Sequence, residues 1–155
     1  MAWRFELAVE CGIDHKAALG VKSHFDGLTF ALDDGTNGRW MADYVSEDED
    51  KRWWVTVLPI ILEKALEWKD DPQLLAATGK QLYERLKSAP PFRFAIVGIE
   101  TFQFNRAESL RDLLEHPALH GLVVNEELFD ILGRPREFTA FSNGYFWLPS
   151  RFKYG

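Results

Sequence analysis

The sequence predicts an α+β domain: a mainly antiparallel sheet with helices packed on one face, forming a single layer pair. Three observations carry this expectation. Strand-like segments cluster toward both ends of the chain, without strict β-α-β alternation. Segments with helix caps of their own fill much of the middle. Near the C-terminus, Asn143-Gly144 sits between two β-rich segments, which is a strong hairpin signal.

Each element has a local reason. Trp3, Phe5, Leu7, Val9 and Cys11 alternate with Arg4, Glu6 and Glu10, the period of two that marks a half-buried strand. Asp14 is placed to cap a short helical turn over 15–19, before Gly20. Residues 28–32 read as a second strand, 33–38 as a turn, and 39–45 as a third strand antiparallel to the second. Ser46-Glu47-Asp48-Glu49 fits a capping box, and the acids through Asp50 suit the positive end of a helix dipole. Beyond them Trp53, Val57, Ile60, Ile61, Lys64 and Trp68 fall at helical spacing, with Pro59 kinking or restarting the helix. Asp71-Pro72 opens a second helix carrying Leu74, Leu75, Leu82 and Leu86. The nearly continuous apolar run 92–99 predicts a central strand. A short helix over 108–116 and a short strand over 122–124 follow. Asn125 then caps a helix over 126–132 that ends at Gly133.

Composition narrows the function classes. A chain of 155 residues suits one domain, 1–155, and 46% hydrophobic with 14% aromatic residues excludes a disordered chain. The net charge of -6, with 18 Lys+Arg scattered among 24 Asp+Glu, argues against nucleic-acid binding, which needs a basic face. The longest apolar run, 55–62, contains Pro59 and is far too short to span a membrane. Cys11 is the only cysteine, so neither an intrachain disulfide nor a cysteine-based zinc site can form. No basic stretch followed by an apolar run opens the chain, and a cytoplasmic location is expected.

The residue types able to carry chemistry read better as structure. His116 and His120 have metal-ligand spacing, but Pro117 disfavours helical geometry at His116. Cys11 shares the apolar phase of its strand and reads as a buried small hydrophobe. Glu100, with Glu108 and Asp112 downstream, stands where a strand ends. The glycines form no phosphate cradle. Accordingly no catalytic residue, metal ligand or cofactor is assigned.

The acids Glu47, Asp48, Glu49 and Asp50 precede Lys51-Arg52 and then the adjacent Trp53 and Trp54. Neighbours on a helix diverge by about 100°, so one helix face cannot bury both tryptophans. An exposed Trp beside charge is typical of a binding hot spot. The expectation is a non-catalytic protein-binding module, of the adaptor, regulatory or immunity type, that meets a basic protein partner through Glu47–Asp50, Trp53 and Trp54. Its alternative is a small enzyme or ligand-binding domain built from dispersed His24, Glu100, His116 and His120. The aromatic strand Tyr145-Phe146-Trp147 reads first as sandwiched core, and after that as a pocket wall or a homodimer interface.

Overall fold

The computed structural model describes residues 3–99 and 121–149. Its elements are β1 (Phe5–Glu10), α1 (His15–Phe25), β2 (Thr29–Ala31), β3 (Asn37–Glu47), β4 (Trp53–Ile61), β5 (Lys64–Ala65), α2 (Pro72–Leu86), β6 (Phe94–Ile99), β7 (Val123–Asn125), α3 (Glu126–Ile131), β8 (Thr139–Ser142) and β9 (Tyr145–Trp147). Among the described residues the strands form one nine-stranded sheet in the order β2-β3-β4-β1-β6-β7-β9-β8, with β5 also paired to β4. Every pairing is antiparallel. The fold is therefore α+β with a large antiparallel sheet, and no described helix is long and apolar enough to cross a membrane. The predicted helix over 108–116 lies outside the described residues.

The sheet has apolar cover on both faces. Phe5, Leu7 and Val9 of β1 join a cluster with Val21 and Phe25 of α1 and Leu75, Leu82 and Leu86 of α2. On the opposite face Ala8 joins Trp54, Phe94, Ile96 and Val124 with Leu128 and Phe129 of α3. The described helices are thus divided between the faces, rather than gathered on one as expected. Both faces of β1 are covered, so Glu6 and Glu10 are buried beside Ala8 instead of facing water. β9 is shared in the same way: Tyr145 and Trp147 pack against the first cluster and Phe146 against the second.

Several elements follow their local signals closely. Asp71 accepts from the Gln73 N–H at 3.1 Å and Pro72 opens α2. Asn125 accepts from the Leu128 N–H at 2.9 Å, and Gly133 ends the helix region with a left-handed φ of 81°. Asp14 caps α1 as expected, but the helix runs past Gly20 to Phe25. Burial of Val21 and Phe25 offsets the roughly 1 kcal/mol that a mid-helix glycine costs relative to alanine.

Residues 46–68 depart most from the expected structure. Where a kinked helix was expected, β3 and β4 form a hairpin with Glu47 opposite Trp53, followed by the short β5. Two periods competed for the same residues, and the period of two won. In a strand, successive side chains point to opposite faces. Trp53, Val55 and Val57 accordingly reach the first cluster while Trp54 reaches the second. The β-branched Val55, Thr56, Val57, Ile60 and Ile61 are also stiff in a way that suits a pleated sheet. Pro59 is tolerated because β4 changes partner there. β1 pairs as far as Val57, β5 lies opposite Ile60 and Ile61, and the Phe5 N–H turns to Leu66 O at 2.8 Å.

Two places at the same end of the sheet are sterically demanding. Leu62 and Glu63, between β4 and β5, are both left-handed (φ 52° and 62°), at a cost of roughly 1–2 kcal/mol per residue. At the start of β3, Gly38 makes room for the Phe30 ring, which stacks on Trp40 at 3.9 Å between centroids. A Cβ at Gly38 would lie 2.4 Å from Phe30 Cζ and 2.9 Å from the backbone oxygen of Ile60. Gly38→Ala is therefore expected to lower stability by about 1–3 kcal/mol. Urea unfolding would show this as a lower midpoint at unchanged slope.

Candidate functional site

The tip of the β3–β4 hairpin is built around Asp48. Its Oδ1 accepts from the Asp50 N–H at 2.9 Å and the Arg52 N–H at 3.0 Å, closing the turn on itself. Its Oδ2 accepts from the Trp54 indole Nε1–H at 2.8 Å. The backbone of Asp48 pairs with Arg52 O at 2.9 Å, and Lys51 takes a left-handed φ of 63° to complete the turn. The carboxylate read as a helix-start acid is therefore the acceptor that shapes a hairpin. Such bonds to an ionised group are stronger than neutral ones.

The six expected binding residues divide by what they touch. Glu47, Glu49 and Asp50 are exposed, and Glu47 lies 3.9 Å from Lys51. Trp53 is half-buried, with its ring 4.1 Å from that of His15 at the start of α1. Asp48 is half-buried and occupied in the turn. Trp54 is only 3% exposed and packs edge-on against Phe94 at 5.3 Å. The surface of this tip thus carries Glu47, Glu49, Asp50, the exposed Lys51 and the half-buried Trp53, with Asp48 and Trp54 holding it from beneath. β1 braces it too: Cys11 N–H donates to Trp53 O at 2.8 Å, and Trp53 N–H to Gly12 O at 2.7 Å.

Just below lies a buried ion pair. Glu10 Oε1 accepts from the Gly12 N–H at 3.0 Å and from Arg93 Nη1 at 3.1 Å. The Glu10 side chain is fully buried and that of Arg93 is 26% exposed. Glu10 Oε2 is buried without a hydrogen-bond partner. Burial pushes the Glu10 carboxyl above the ordinary carboxylate range, opposed by the charge of Arg93, the Gly12 N–H and the charge of Arg52. Sequence reading missed this group because the alternation of β1 assigned Glu10 to the solvent. The clue was Arg93, which opens the neighbouring apolar strand segment and can reach a carboxylate across a ladder.

The other chemical candidates serve the framework. Burial pushes the Cys11 thiol up to about 12, with the charge of Glu10 adding to the effect, so the thiolate is suppressed. His24 Nε2 lies 2.8 Å from Arg85 O and 3.3 Å from Ser88 Oγ, while the Arg85 guanidinium donates to His24 O; these bonds tie α1 to the end of α2. Glu100, Glu108, Asp112, His116 and His120 lie outside the described residues. Among the described residues no three His, Cys, Asp or Glu side chains gather to hold a metal ion.

Two outcomes test this geometry. Asp48→Ala should destabilise the protein by about 2–4 kcal/mol, since it strands the Trp54 indole N–H and opens the turn. Asp48→Asn, which keeps an acceptor oxygen, should lose clearly less; thermal melts followed by tryptophan fluorescence compare the two. For Glu10 the folded state holds its proton to higher pH than the unfolded chain does. Stability should therefore fall as pH rises from the ordinary carboxylate pKa through the raised one. Glu10→Gln should flatten that part of the stability–pH curve measured by denaturant unfolding, and an unchanged slope would contradict the assignment. Compared with protein-family models, curated proteins and solved structures, the chain matches none.

Proposed function

We propose that this chain is a non-catalytic protein-binding module that meets a basic protein partner at the β3–β4 tip. The observation that carries the reading is the Asp48 turn, which holds Glu49 and Asp50 exposed on a fixed backbone beside the half-buried Trp53. A pre-organised acidic loop loses little conformational freedom on binding, and its field steers a basic partner toward it. Trp53 supplies an aromatic edge at the same place, a residue type favoured in hot spots. The roles of Cys11, His24 and Glu10 inside the framework also support binding over catalysis.

Contact and support are separate in this surface. Glu47, Glu49, Asp50 and Trp53 meet the partner; Asp48 and Trp54 set the shape of the surface. An adaptor, regulatory or immunity-type role is the form of binding proposed, and a cytoplasmic setting fits the single unpaired, buried Cys11.

The test is capture from the native host with the tagged intact chain, run in parallel with the Glu49→Lys/Asp50→Lys double variant. Both substituted side chains are exposed, so the variant should fold and melt like the parent. A stoichiometric basic protein should be retained by the parent, released by added salt, and bound at least about tenfold more weakly by the variant. Capture that is indifferent to the charge reversal, or the absence of any stoichiometric partner, would overturn the proposal.

A further inference from the structure

At the other end of β3, one strand length of about 35 Å from the acidic tip, a second surface has a different make-up. The β2–β3 turn, the β4–β5 turn and the first half of α2 enclose an open groove of about 570 Å³. Its floor is apolar: Leu32 and Ile61 are buried beneath it and Leu74 is half-buried. Leu62 rises from the strained β4–β5 turn at 89% exposure. Asp33, Asp34 and Asp71 stand on its rim against the single base Lys80, a balance of three negative charges to one positive.

We propose that this groove is a docking surface for a cationic amphipathic segment of a partner protein. Charge complementarity around an apolar floor selects this occupant. A segment that alternates Lys or Arg with Leu or Ile would seat its apolar side chains beside Leu62 and Leu74 and its charges on the aspartates. Two of those aspartates are fixed by their own turns. Asp34 accepts from the Thr36 N–H at 2.8 Å, and Asp71 caps α2. Hydrogen bonds from Thr36 also hold the Asp34 carboxyl below its ordinary range, keeping it anionic. An anionic lipid surface would be repelled by this rim, and so would a second copy of a chain with net charge -6. The groove does not depend on the β3–β4 tip, and each surface can fail its test separately.

The test is a titration of the intact, isotope-labelled chain with two synthetic peptides, one of alternating Lys and Leu, the other of alternating Glu and Leu at equal length. Only the Lys/Leu peptide should bind, with amide shifts confined to 32–36, 61–63 and 71–80. Leu62→Asp places a residue that tolerates left-handed backbone on an exposed turn, so the fold should survive it. It removes the apolar contact and adds a negative charge. Weakening of about tenfold supports docking on the floor, whereas tighter binding would reveal bulk charge attraction and overturn the proposal. Asp33→Asn together with Asp71→Asn keeps the helix cap and should weaken binding by about tenfold. Equal binding of the Glu/Leu peptide, or shifts centred on 47–53, would also overturn it. So would shifts at the groove that depend on protein concentration without peptide, the mark of self-association.

Discussion

β1 lies in the interior of the sheet between β4 and β6, and all six of its residues are buried. Both of its faces must therefore be covered. Burying Phe5, Leu7 and Val9 contributes about 1.5–3 kcal/mol each, and the cover comes from α1 and α2. The other face carries Glu6, Ala8 and Glu10, and covering it requires buried carboxylates to be satisfied. For Glu10 the answer is Arg93, on the segment that leads into the neighbouring β6, together with the Gly12 N–H that starts the turn toward α1. A buried ion pair of this kind adds little net stability, because desolvation opposes the attraction, yet removal of one partner leaves an uncompensated group. It links β1, the segment before β6 and the path to α1.

That junction is what the acidic tip stands on. Trp53 exchanges backbone hydrogen bonds with Cys11 and Gly12, and Trp54 lies opposite Glu10 in the β1–β4 register. The tip is shaped by Asp48 from within and by the end of β1 from below. Surface charge on a loose loop would be mobile and weakly selective; here the exposed acids sit on a turn closed by the hydrogen bonds of Asp48. The two ends of the β3–β4 ribbon contrast usefully. One presents charge beside an aromatic edge, and the other presents an apolar groove with an acidic rim. Both rest on tight turns whose backbone departs from the common regions at non-glycine residues: Lys51 at one end, Leu62 and Glu63 at the other. Such conformations persist only where their surroundings impose them.

Much of the fold was legible because its signals were local. Asp71-Pro72, Asn125 with Gly133, and Asn143-Gly144 each set backbone within a few residues, and each stands where the sequence places it. The error over 46–68 has an equally local origin. Trp53, Val57, Ile60, Ile61, Lys64 and Trp68 satisfy a helical period, while Trp53, Val55 and Val57 satisfy a strand period. Periodicity alone could not choose between them. The β-branched content of that stretch was the better guide. For the candidate site, the composition of the tip was readable, but the division of its residues into contact and support was not. That division turns on the Asp48–Trp54 bond, which forms only when the chain makes a hairpin.

The sequence by itself determined the α+β class, the caps of α1, α2 and α3 and the Asn143-Gly144 turn, because hydrogen bonds over a few residues and the alternation of polar and apolar side chains act without a partner. The tertiary structure decided what lies on each side of β1, and so which polar residues are buried. Glu10 shows the difference. Its place in the alternation of β1 points it toward water, and only the second apolar layer, with Trp54, Phe94 and α3, makes that direction the interior. Burial is a property of what packs across a face, and no single strand carries that information.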